Sequence, residues 1–87
     1  MKIKKGFVVR KVGGASVVVP VGQMSKEFHG MINLNETGEV LWNFFTSDHT
    51  ADEAVAELLS IYDVSEEVVR KDVETFVNKI VEHGFVE

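Results

Sequence analysis

The 87-residue chain has no cysteine, so disulfides and thiolate metal sites are excluded and stability has to come from an apolar core. No apolar run approaches the roughly 18 residues of a membrane-spanning helix, and no signal-peptide pattern opens the chain; a soluble, cytoplasmic protein is expected. The histidines His29, His49 and His83 fall in different segments, without a paired spacing such as H-E-x-x-H that would hold a metal. Neither G-x-S-x-G, a phosphate-cradling glycine loop nor a dinucleotide fingerprint occurs. The expectation is a protein without catalytic residues, metal or cofactor.

Cations are scarce and unevenly placed. Lys2, Lys4, Lys5, Arg10 and Lys11 stand in the first eleven residues with no acid among them, while the rest carries all 14 acids and gives a net charge of −5. A basic strand on an acidic body could steer an acidic partner, or it could be a charged edge that resists aggregation. Hydrophobic residues make up 45%, which places the chain among folded proteins. Its length allows one domain, residues 1–87, with little stability to spare.

The single proline, Pro20, punctuates a region that reads as strand. Residues 6–12 alternate, with Phe7 and Val9 on one face. Gly13-Gly14 can close a hairpin, because both positions tolerate positive φ. Residues 15–21 return as a valine-rich second strand, and Pro20, lacking an amide donor, belongs near its end. Residues 22–26 read as a loop and residues 28–34 as a third strand, with Ile32 and Leu34 on one face and Met31 and Asn33 on the other.

From Asn35 onward the pattern changes from strand to helix. Asn35 suits an N-cap, and Glu36 sits where the helix dipole favours an acid. Val40, Leu41, Phe44 and Phe45 follow at helical spacing, with Trp42 and Phe45 as core anchors. A second helix opens on a Thr50/Glu53 capping box, with Ala54, Val55, Leu58, Leu59 and Tyr62 as its apolar face. A third starts at Ser65, with Val64 and Val69 spaced to staple its entry. Its buried stripe is Val69, Val73, Phe76, Val77 and Ile80, and Gly84 ends it so that Phe85 and Val86 can fold back. Three antiparallel strands followed by three helices make an α+β domain, the last two helices forming a helix-turn-helix pair.

The run Leu34-Asn35-Glu36-Thr37-Gly38 with Trp42, then Thr50 through Glu53, Tyr62-Asp63-Val64-Ser65, Asp72-Val73 and Gly84-Phe85-Val86, resembles the PqqD family, small recognition elements of pathways that modify ribosomally made peptides. The resemblance covers residues 17–86 and implies a winged helix-turn-helix-like domain with its sheet placed before the helices. It further implies a non-catalytic module that binds the leader segment of a precursor peptide and presents it to a modifying enzyme, often a radical enzyme of the S-adenosylmethionine type. The physical mode would be strand addition to an open sheet edge. The expected site is Met31, Ile32, Asn33 and Leu34 on the third strand, with Arg70, Asp72, Val73, Glu74 and Val77 on the third helix. Pairing through the open edge would also permit a homodimer. The competing reading is a helix-turn-helix regulatory or DNA-binding domain. Against it, Arg70, Lys71 and Lys79 face Glu66, Glu67, Asp72, Glu74 and Glu82 on the helix that would read bases, a balance that repels a duplex. No nucleic-acid or membrane partner is expected.

Overall fold

In the computed structural model, which describes residues 1–28 and 32–87, a three-stranded antiparallel sheet of order β1-β2-β3 is covered on one face by helices. The elements are β1 (Phe7–Val12), β2 (Ala15–Pro20), α1 (Met24–Glu27), β3 (Ile32–Leu34), α2 (Glu36–Phe44), α3 (Ala51–Ile61) and α4 (Glu66–Glu82). This is the α+β arrangement expected. The helices read as first, second and third in the sequence are α2, α3 and α4.

Two local expectations are corrected. The segment after β2 is not a plain loop: Gly22 takes φ +57 and a short helix follows. Its turns are closed by Ser25 N–H to the Gly22 carbonyl at 3.1 Å and by the Ser25 hydroxyl to the same oxygen at 2.7 Å. One turn is too short to show apolar periodicity. Phe28, expected at the start of the third strand, lies outside it: it ends the short helix, and its ring packs against Phe7 at 5.1 Å and Phe85 at 5.3 Å, while β3 among the described residues covers Ile32–Leu34. The expected strand residues His29 and Met31 lie outside the described residues.

The strand-to-helix joint is as read. Asn35 stays extended while its side chain accepts from the Gly38 amide at 2.7 Å, and this oxygen takes up one of the free donors at the helix start. A Cβ at Gly38 would lie 3.1 Å from that same oxygen, so a side chain there would press on the cap. The Thr50/Glu53 capping box is complete, at 3.1 Å and 2.8 Å, and the Ser65 hydroxyl accepts from Val68 N–H at 3.3 Å.

Leu41, Trp42, Phe45, Ala54, Val55, Leu58, Val69, Val73, Phe76 and Ile80 pack with Val18 and Leu34 of the sheet in one cluster. Trp42 and Phe45 are fully or almost fully buried, as expected. Leu59 and Val64 are not: they are 36% and 47% exposed. Leu59 lies at the margin of the α3 apolar stripe, and Val64 stands in the turn ahead of α4 with much of its surface in solvent. Gly84 adopts φ +77, which turns the chain so that Phe85 enters the core and Val86 forms an antiparallel bridge with Ile3. Phe7, Trp42 and Phe85 meet edge to face at 4.9–6.0 Å, a geometry that aligns ring edges with ring faces.

Candidate functional site

The hairpin decides which backbone groups of the sheet are free. Gly13 and Gly14 form a two-residue loop closed by the pair Val12↔Ala15. Such a closing pair exchanges both hydrogen bonds, and bonded and non-bonded pairs then alternate along the ladder. Val12, Arg10 and Val8 therefore bond Ala15, Val17 and Val19, and the series continues in the Val21 N–H bond of 2.8 Å to the Gly6 carbonyl. Pro20 falls on a non-bonded pair with Phe7, so its missing donor costs nothing on the β1 side.

On its other side β2 offers Ser16 and Val18, whose partners are Leu34 and Ile32; Asn33 stands opposite Val17. Ile32 and Leu34 thus spend their N–H and C=O groups on β2, and both groups of Asn33 point to the open edge. The Asn33 carbonyl meets Lys79 Nζ of α4 at 3.4 Å, which fits that orientation. The Asn33 side chain is exposed, Leu34 is buried and Ile32 packs partly against the core.

Beside this edge lies a hollow of about 350 Å³, bounded by Asn33, Leu34 and Asn35, by Thr37, Gly38 and Leu41 of α2, and by Asp72, Thr75, Phe76 and Lys79 of α4. Leu34, Leu41 and Phe76 supply its apolar lining. Asp72 and Lys79 are seven residues apart, about two helical turns, so one acid and one cation frame it along α4.

Of the residues expected at the site, Asn33, Leu34 and Asp72 are brought together here, with Ile32 next to them. Arg70, Val73, Glu74 and Val77 line a different hollow of about 270 Å³ between α3 and α4, with Ala51, Val55 and Asn78. At about 100° per residue, Arg70, Glu74 and Val77 lie on the opposite side of α4 from Asp72, Phe76 and Lys79. Val73 is 2% exposed and belongs to the core. Arg70 is already engaged, by Glu66 at 2.9 Å and Asp52 at 3.0 Å, and these hydrogen bonds hold its guanidinium firmly in the charged form.

Sequence reasoning missed Thr75 and Lys79. The signal was available: i+3 and i+7 from Asp72 share its face. Glu39 on α2 is a titrating group with a shifted equilibrium. Its pKa is lowered chiefly by the Ser16 hydroxyl, which donates at 2.7 Å, with Lys11 at 3.4 Å adding to the effect against the cost of burial. This contact ties α2 to the sheet. Among the described residues no group of three or more His, Asp or Glu side chains could hold a metal ion, and no helix is long and apolar enough to cross a membrane.

A family model described as Coenzyme PQQ synthesis protein D (PqqD) matches residues 16–86. The solved structure of TbiB1 in complex with the TbiA(beta) leader peptide superposes with a TM-score of 0.74, covering 100% of this chain and 95% of that one at 20% identity. At that identity the likeness establishes the fold. No curated protein matches the chain.

Proposed function

The chain belongs to the PqqD family, and from that premise we propose that it is a non-catalytic module that captures the leader segment of a ribosomally made precursor peptide and presents it to a modifying enzyme of the radical S-adenosylmethionine type. The observation that carries the reading is the open β3 edge, where the Asn33 N–H and C=O point outward beside the hollow lined by Leu34, Leu41 and Phe76. An extended peptide pairs its backbone with such an edge, and alternate side chains enter adjoining pockets. That TbiB1 is found with a leader peptide agrees with this use of the fold.

The contacts proposed are Ile32, Asn33 and Leu34 on the strand and Asp72 on α4, joined by Thr75 and Lys79. Backbone pairing is indifferent to sequence, so selectivity falls to the hollow. An apolar leader side chain fits its lining, and Asp72 and Lys79 favour a cation near one end and an acid near the other. The Lys79 ammonium rests on the Asn33 carbonyl and swings aside when the leader's amide takes its place. Arg70, Glu74 and Val77 line the second hollow, between α3 and α4.

Titrating the 15N-labelled chain with the cognate leader should shift the amides of Ile32, Asn33, Asp72, Thr75 and Lys79. Shifts confined to α3 or to the N-terminal lysines would show that the leader binds elsewhere.

A further inference from the structure

The sheet has a second open edge, and the leader-binding reading does not use it. By the same alternation, Val8, Arg10 and Val12 bond β2, while Phe7, Val9 and Lys11 turn their N–H and C=O groups outward. None of those outward groups has a hydrogen-bond partner among the described residues. The edge spans the six residues of β1.

Long open edges pair with whatever strand they meet unless charge selects, and here the charge has one sign. Lys4, Lys5, Arg10 and Lys11 lie along or just before β1. Lys11 is satisfied by Glu39 at 3.4 Å, but Lys4, Lys5 and Arg10 have no acid within 4.0 Å among the described residues. Their charge is thus uncompensated on a body whose net charge is −5.

We propose that the outer edge of β1 is a docking edge for an extended, acidic segment of a partner protein, added as a fourth strand alongside Phe7–Val12. Backbone pairing would satisfy the alternating donors and acceptors of Phe7, Val9 and Lys11, and acids on the incoming strand would meet Lys5 and Arg10. A second copy of this chain fits poorly. Antiparallel pairing of two β1 edges about Val9 sets each Arg10 opposite Val8, with the two Arg10 side chains as diagonal neighbours on one face, about 7–8 Å apart. A nucleic acid fits poorly too, since phosphates accept hydrogen bonds and leave the outward carbonyls unmatched.

With β1 and β3 at opposite sides of the sheet, the two edges can be occupied together. A partner held at β1 would leave the β3 edge free for a leader.

The test is a backbone-amide NMR titration of the full chain with three probes: a blocked seven-residue peptide alternating glutamate and valine, the same peptide with lysine in place of glutamate, and a random DNA duplex. The acidic peptide should shift the amides of Phe7, Val9 and Lys11 more than those of Val8, Arg10 and Val12, and the lysine peptide should not. Lys5→Glu with Arg10→Glu should weaken binding several-fold, and added salt should do the same. Val9→Pro removes one outward donor; because Val9 also packs on the core, Lys11→Pro provides the same loss at an exposed position. In either folded variant the shifts should fade. Equal binding of both peptides, stronger shifts with DNA, shifts only at Asn33, or self-association through β1 would each overturn the proposal. Shifts at Asn33 with the cognate leader remain a separate observation, so either reading can fail alone.

Discussion

Phe45, the residue that caps the C-terminal end of α2, is an anchor of the core. It is 0% exposed and its ring stacks on Phe76 at 6.1 Å, joining α2 to α4. Phe45→Ala should cost about 3–5 kcal/mol, most of the stability available to a domain this small. Chemical denaturation would read the loss, and an unchanged midpoint would mean that the pocket refills. Glu39 makes a prediction of a different kind. Its pKa is lowered in the folded chain by the Ser16 hydroxyl and Lys11, and that of Glu53 by the Thr50 amide. A carboxylate with a depressed folded pKa binds fewer protons than its unfolded counterpart, so it stabilises the fold above the ordinary glutamate range. That contribution is lost as pH falls through the folded value. Melting temperatures from neutral pH into acid should therefore fall less steeply in Glu39→Gln than in the wild type, from a lower neutral starting point. Parallel curves would remove Glu39 from the account.

At the scale of elements, β3 is the informative one, because its two kinds of position can be told apart. Asn33→Pro deletes a donor that faces outward, and edge strands tolerate proline in that orientation. The fold should survive while leader affinity drops by up to about tenfold, the value of one hydrogen bond. Ile32→Pro deletes a donor that faces Val18, and the sheet itself should weaken. Circular dichroism with a leader-binding isotherm separates the two; if both variants unfold alike, the alternation assigned to β3 is wrong. The capping box at the start of α3 offers a control away from the site. Thr50→Ala should cost about 1 kcal/mol without changing leader affinity.

For the whole molecule, charge and topology point the same way. The net charge of −5 and the acids on α4 disfavour a duplex, so fluorescence anisotropy with random DNA at physiological salt should show no binding. Affinity that falls steeply with salt would revive the DNA-binding reading. A saturating leader should raise the melting temperature, because a ligand bound only to the folded state adds about 2.7 kcal/mol at a hundredfold excess over Kd. The sheet presents one open edge at β3 and one at β1, and the helices close the face between them.

Most elements and their joints are legible in the sequence, the single turn of α1 and the placement of Phe28 being the exceptions. Valine-rich alternation, Gly13-Gly14, the Asn35 cap and the Thr50/Glu53 box are local signals, each readable within a few residues. The sequence also determined most of the core, since helical spacing alone identified Leu41, Phe45, Val69, Val73, Phe76 and Ile80 as buried. Which sides of those elements meet is set by packing between segments far apart in the chain. Asp72, Thr75 and Lys79 flank the β3 edge, while Arg70, Glu74 and Val77 turn toward α3, a division set by how α4 is rotated about its axis when Phe76 and Ile80 enter the core. The outward direction of the Asn33 amide depends on the register of β2 against two neighbours at once. Sequence periodicity gives the faces of a strand but not which edge its hydrogen bonds are spent on, because that is fixed by pairing between distant segments.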